Sequence, residues 1–288
     1  MQTLNIIGAG KLGRTLGRLW RQRQVFEIAA ICNRSLPSAR DAATFIGAGR
    51  AVDTIDTMPD ADCWLIATSD GQITAVAGAL GRRAERGHSV IFHCSGALSS
   101  EVLAPCRPAA TASAHPVHSF AAPESSLQTL AGSSVALEGD PRALDILGSA
   151  FTALDCTTLT IEAENKSLYH AGSVFACNYL TALMDLSLRT FAAAGIDRER
   201  ALQMLQPIVL QTARNNMQLG PERALTGPIA RGDTATVATQ LDALRAADPQ
   251  LAQCYRQLGL ACVELARRGA LPEDAAKTLT ELLEEPSR

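Results

Sequence analysis

The chain has 288 residues, room for two domains, and its 47% hydrophobic and 19% charged residues are the balance of a globular protein. A net charge of −3 and 4% aromatics argue against a nucleic-acid surface, which needs a basic face or a stacking platform. No apolar run reaches the roughly 18 residues of a membrane span, MQTLNIIGAG lacks a signal peptide's basic start, and the eight cysteines show no C-x-x-C or zinc spacing, so a reduced, cytoplasmic chain without metal is expected.

Taken in chain order, residues 1–161 alternate apolar runs with helical stretches. LNIIG from Leu4, EIAAICN from Glu27, WLIAT from Trp64, SVIFHCS from Ser89 and SVALEG from Ser134 read as buried strands, with a last strand over 157–161. Helices are predicted between them over 11–23, 38–46 and 72–85. Continuous apolar strands mark a sheet covered on both faces, and the alternation marks an α/β domain with a doubly wound parallel sheet. From residue 162 to 288 no strand is evident. A long helix is predicted over 164–194, stopping at Gly195, and a second from Asp197 that Pro207 should kink. Further helices follow over 234–247, from Asp248-Pro249 to Gly269, and from Glu273. The predicted domains are thus 1–161, for a dinucleotide, and 162–288, all helical, for substrate and assembly.

Gly8-Ala9-Gly10-Lys11-Leu12-Gly13 lies directly after the first strand and before the first helix. In such a turn the first glycine permits the bend, the second lets backbone approach a pyrophosphate, and the third lets helix and strand pack closely. The anion rests on the helix N-terminus, where free N–H groups and the helix dipole favour it. The strand before and the helix after separate this motif from a structural glycine turn.

An NAD-binding chain places Asp or Glu about 20 residues beyond the last glycine, to bond the ribose 2′-hydroxyl. Here that count reaches Asn33, followed by Arg34 and Ser35. The Arg34 fork suits a 2′-phosphate, and Asn33 and Ser35 add neutral donors, so NADP is the expected cofactor. Ligands of open sheets lie at the carboxyl edge of the strands. That rule brings Thr68-Ser69-Asp70, His93-Cys94-Ser95-Gly96 and His115-Pro116 toward the ribose and nicotinamide. Each of these polar residues can equally be a strand-end cap. Ser95-Gly96 is the pair that leaves most room for a ring and a substrate.

Together with the glycine turn, the specific pieces are Asn33-Arg34-Ser35, His93-Cys94-Ser95-Gly96, Asn165-Lys166 through Asn178-Tyr179-Leu180, and Thr226-Gly227-Pro228-Ile229-Ala230-Arg231-Gly232-Asp233. On these the whole chain resembles the Rossmann-like NADP oxidoreductases loosely grouped as deazaflavin-dependent, whose C-terminal domain has no assigned function. Their relatives are pyrroline-5-carboxylate reductase, ketopantoate reductase and the 3-hydroxyisobutyrate and 6-phosphogluconate dehydrogenases. The resemblance implies a Rossmann-type sheet followed by a helical domain like the C-terminal one of 6-phosphogluconate dehydrogenase. It also implies a homodimer joined through residues 162–288.

In the hydroxyacid dehydrogenase relatives a lysine opening the long helix acts as acid or base on the substrate oxygen, with an asparagine one turn on. Lys166 stands at the lysine's place, and His170 replaces the asparagine. The i, i+4 spacing puts both on one face, and a histidine can donate a hydrogen bond or shuttle a proton. Asn178, two turns beyond His170, is expected on that face as a buried amide needing partners. The pyrroline-5-carboxylate reductases use no such lysine, so the proton donor stays open between Lys166, His170 and neither. In the reductases the loop matching 226–233 helps hold the substrate carboxylate, a role for Arg231, while Asp233 reads as the N-cap of the helix from Thr234.

The expected function is hydride transfer between NADP(H) and a C=O or C=N of a small polar acid, such as a 2-oxo acid like ketopantoate. Ser95, Gly96, His115 and Arg231 are the expected substrate contacts. Thr68, Ser69 and Cys94 join residues 8–13 and 33–35 as cofactor contacts. Two other readings stay open: hydride transfer to a deazaflavin, for which the helical half offers few aromatics, and a non-catalytic NADP(H)-binding sensor or structural dimer.

Overall fold

The computed structural model describes residues 1–83 and 87–284. Its strands are β1 (Gln2–Ile7), β2 (Phe26–Cys32), β3 (Arg50–Val52), β4 (Cys63–Ile66), β5 (Val90–His93), β6 (Ala110–Pro116), β7 (Ser134–Gly139) and β8 (Thr157–Thr160). The helices are α1 (Lys11–Gln22), α2 (Leu36–Ile46), α3 (Asp70–Gly81), α4 (Pro123–Thr129), α5 (Pro141–Thr152), α6 (Lys166–Ala193), α7 (Arg198–Leu219), α8 (Pro221–Ala224), α9 (Thr234–Ala247), α10 (Pro249–Arg267) and α11 (Glu273–Glu284).

The strands form one sheet in the order β3-β2-β1-β4-β5-β6-β7-β8. Neighbours run parallel except β6 and β7, which are antiparallel. This is the doubly wound, Rossmann-type sheet read from the sequence, with a helical C-terminal region after it. Every residue of β4 and β5 is buried, which is why these strands read as unbroken apolar runs. One apolar layer gathers Leu4, Ile6, Trp20, Phe26 and Phe92; a second gathers Ile7, Trp64, Ile66, Ile73 and Leu103. Ile6 and Ile7 divide between the layers because successive strand side chains point to opposite faces. Trp20 meets Phe26 and Phe151 edge-on at 5.3 Å, and its indole N–H donates to the Ala150 carbonyl at 3.0 Å. Truncating Trp20 to Ala removes one of the two fully buried tryptophans, a change that typically costs about 3–5 kcal/mol.

Several elements depart from the sequence reading. β3 has three residues, too few for a pattern. β6 reads ATASAHP, poor in the branched and aromatic residues that favour strands, yet all of it but His115 is buried. The sequence reading places no element at α4 or α5, although α5 opens with a first-turn proline after Asp140. α2 begins at Leu36 because Ser35, not a later residue, caps it, its Oγ accepting from Ser38 N at 3.4 Å. α3 begins at Asp70, and Glu85, the predicted end of that helix, lies outside the described residues.

Contacts divide the chain into two compact units, Met1–Asn178 and Tyr179–Arg288, so α6 runs from one into the other. In the second unit α9, α10 and α11 enclose a core of Val237, Val263, Ala266, Ala276, Leu279 and Leu283. Asp233 caps α9, accepting from Thr236 N at 3.1 Å, as the sequence suggested. Among the described residues no helix is long and apolar enough to cross a membrane.

Candidate functional site at the carboxyl edge of the sheet

The three glycines of the first turn have different surroundings. Gly8 has φ +85, and a Cβ there would lie 2.7 Å from the Thr68 nitrogen and 2.9 Å from its Cα. Its N–H donates to the Cys32 carbonyl at 2.8 Å, tying the turn to β2. Gly13 lets α1 settle on the sheet, since a Cβ would come within 3.1 Å of Ala67 Cβ and of the Gly8 carbonyl. Gly10 is exposed, and the nearest atom to a Cβ there is 4.0 Å away. No side chain caps the N-terminus of α1, so its first N–H groups stay open to an anion. Lys11 is exposed at the first helical position, while Leu12 turns partly into the core.

A cleft of about 1000 Å³ opens from this turn, bordered by Gly10, Asn33-Arg34-Ser35, Thr68 and Ser69. Thr68 Oγ1 is buried and has no hydrogen-bond partner among the described residues. Arg34 is exposed at the end of β2. Asn33 does a different job from the one expected: its Oδ1 accepts from Ala9 N at 2.7 Å, and its Nδ2 donates to the Ser38 carbonyl at 3.0 Å. The amide therefore braces the glycine turn against α2. The sequence reading missed Arg14, Arg82, Asp53 and Asp56, which border the same cleft. Arg14 directly follows the glycine motif and was open to notice; Asp53 follows the unforeseen β3.

A second group of polar side chains gathers where β5, β6 and the start of α6 meet. Ser95 Oγ donates to Asp70 at 2.7 Å and accepts from the Ala97 and Leu98 N–H groups at 3.2 and 3.0 Å. That hydroxyl is engaged within the protein. Lys166 is 1% exposed, its ammonium donating to Ser113 Oγ at 2.6 Å and to the Ser95 carbonyl at 3.3 Å. Desolvation lowers the Lys166 pKa from its ordinary value, opposed chiefly by the negative charge of Glu138. Cys94 lies in the core, where burial pushes its thiol up to about 12.

His93 is fully buried, its Nδ1 accepting from Ser95 N at 3.1 Å and its Nε2 facing the Ser99 carbonyl at 3.1 Å. Burial holds it down to about 4. His115 is half-buried, with Nδ1 3.0 Å from the Tyr169 hydroxyl. Burial, then the charges of His170 and Lys166, bring His115 down to about 4. His170 lies over Gly96.

The start of α6 thus brings Lys166 and His170 to Ser95 and Gly96, with His115 beside them. Asn178 departs from its reading as a buried amide. It is exposed, at the last position of the first compact unit. Arg231 is an exposed residue of the helical unit.

Residues 2–118 match the Rossmann-like domain family, and residues 133–262 match a domain of unknown function, DUF2520. No curated protein matches the chain. Among solved structures the chain is similar to a Bacteroides fragilis protein assigned as an NADP oxidoreductase, at 19% identity and TM-score 0.75, over 97% of this chain and 98% of that one. It is similar to a Thermotoga maritima protein whose name states no activity, at 28% identity and TM-score 0.73, over 92% and 99%. The 1-pyrroline-5-carboxylate reductase of Streptococcus pyogenes shares the fold at 16% identity and TM-score 0.64, over 97% and 98%. The chain thus matches a Rossmann-like domain in its first part and a DUF2520 domain in the part that follows.

Proposed function

We propose that the chain is an NADP(H)-dependent oxidoreductase acting on a C=O or C=N of a small polar acid. The observation that carries this reading is the cleft at the glycine turn. It joins an uncapped helix N-terminus, an open approach at Gly10, an unpartnered Thr68 hydroxyl and the Arg34 guanidinium. These groups fit a dinucleotide: the α1 N–H groups would hold its pyrophosphate, Thr68 Oγ1 would offer it a donor, and Arg34 would pair with a 2′-phosphate. When bound, the coenzyme supplies the hydride. The second polar group, at the ends of β5 and β6, supplies a proton donor, Lys166 or His170. The names of two similar structures, an NADP oxidoreductase and a pyrroline carboxylate reductase, support the cofactor and the small acid.

We further propose a homodimer joined through residues 162–288, in a cytoplasmic setting that suits eight free thiols. Along α7 Ala201 is buried, while Leu202, Met204, Ile208, Leu210 and Met217 are exposed. A helix apolar on several faces needs a partner.

The activity is tested by following NADPH consumption with ketopantoate, other 2-oxo acids and cyclic imino acids such as 1-pyrroline-5-carboxylate. Turnover of one class is the expected result. NADPH binding without turnover across the panel would mark a non-catalytic binding protein instead.

A further inference from the structure

Residues 94–99, between β5 and the turn Ser100–Cys106, belong to no helix or strand. Backbone polar groups of such a stretch need partners where water is excluded, and here side chains supply them. His93 Nδ1 accepts from Ser95 N at 3.1 Å, and its Nε2 faces the Ser99 carbonyl at 3.1 Å. The Lys166 ammonium donates to the Ser95 carbonyl at 3.3 Å. The Glu138 carboxylate accepts from Ser100 N at 2.8 Å and from Ser100 Oγ at 2.5 Å. A cation thus meets a carbonyl at one end of the stretch, and an anion meets an N–H at the other. Hydrogen bonds with one charged member are the stronger kind.

The side chains that do this stand in a row. Strand register pairs His93 with Ser113 across β5 and β6, and Ser113 with Glu138 across β6 and β7. Residues paired in register share a face of the sheet, with Cβ atoms roughly 5 Å apart in the antiparallel pair. Lys166 joins the row from α6, its ammonium 2.6 Å from Ser113 Oγ. All four side chains are buried. The groups that favour the charged form of Lys166 are Glu138 on β7, then Cys94 after β5 and Asp70 on α3, while His93 and His115 lie within reach of its charge. Neither buried charge is well tolerated without the other, because a lone member is left uncompensated. The stretch that the row holds carries Gly96, where a Cβ would collide with the His170 and His115 rings. A small displacement of the stretch therefore disturbs both rings.

We propose that His93, Glu138 and Lys166 form one buried polar row that sets the position of Ser95–Ser100, and that Glu138 is a positioning residue for the reaction, acting through Lys166 and Ser100. The inference rests on the reductive function proposed above. The row works in one protonation state: His93 neutral, with its proton on Nε2; Lys166 as the ammonium; Glu138 as the carboxylate that accepts both Ser100 donors. Protonation of His93 in acid removes the acceptor for Ser95 N. Loss of the Lys166 proton in alkali weakens the hold on the Ser95 carbonyl.

Amide hydrogen exchange and the titration of carbon-13-labelled lysine, both read by NMR on the full chain without coenzyme, test the row itself. Glu138→Gln keeps the side chain's shape and removes its charge. It should speed exchange at the Ser100 amide at least roughly tenfold and lower the Lys166 pKa by about one pH unit or more. Glu138→Asp, which keeps the charge, should retain most of the Lys166 titration. An unmoved Lys166 titration and unchanged Ser100 exchange in folded Glu138→Gln would overturn the row, as would a neutral Lys166 amine at neutral pH in the unmodified chain. If Glu138→Gln alone does not fold, Lys166→Met with and without Glu138→Gln decides: the double variant should be the more stable, and equal stability would mean that the two charges do not meet. With a turned-over substrate, Glu138→Gln should lower kcat roughly 10- to 10²-fold at unchanged NADPH affinity and move the alkaline limb of the kcat profile to lower pH. A limb left in place would make Glu138 structural only and overturn its positioning role. Absence of NADPH binding would defeat the reductase reading and leave exchange and lysine titration to decide the row.

Discussion

His93 accepts the Ser95 N–H at Nδ1, so its one proton sits on Nε2 and the ring must be neutral in the folded chain. Its pKa and that of His115 are held near about 4, against an ordinary value of 6.5. Between those values the unfolded chain binds protons at both rings and the folded chain does not. Stability is therefore expected to fall as pH drops from 6.5 toward 4 and to lose nothing further from these rings below that. Thermal melts across this window check it, and His93→Gln should remove part of the slope. A flat profile in the unmodified chain would contradict the neutral His93. Little of this was legible in the sequence. The glycine motif was, because each glycine's role is set by its own backbone and close neighbours. Asn33 was read as a ligand contact because its partner, the Ala9 N–H, lies on another strand–helix turn, and Ser95 hides its Asp70 partner in the same way.

At the scale of elements, the first β-α turn decides how the sheet meets its ligand. Gly8→Ala would place a methyl against the Thr68 backbone at a φ of +85, which L-residues rarely adopt. The expected result is a loss of more than about 1 kcal/mol, read from chemical denaturation, together with weaker NADPH binding. Unchanged stability would mean that the turn relaxes away from Thr68. Buried central strands were legible because helices cover both faces and leave a continuous apolar run. β6 was not, because its Ala, Ser and Thr residues carry no strand signature and its burial comes from neighbours such as α5 and the turn Ser100–Cys106. α6 was legible as a long helix, but the division of the chain within it, at Asn178/Tyr179, depends on contacts that its sequence does not record.

At the scale of the molecule, the exposed apolar residues of α7 predict association. Met217 is 87% exposed and Ile208 61%, which is costly for a helix left in water. Sedimentation at micromolar concentration should give a dimer, and Ile208→Glu should weaken it; a monomer would refute the assembly. The central claim is that the cleft at the glycine turn takes NADP(H) and that Arg34 reads its 2′-phosphate. Equilibrium titration of the unmodified chain and Arg34→Ala with NADPH and NADH tests it most directly. The expected result is NADPH binding at least roughly tenfold tighter than NADH, about 1.4 kcal/mol, with most of that preference lost in Arg34→Ala. Equal affinities in the unmodified chain, or no binding of either coenzyme, would contradict it.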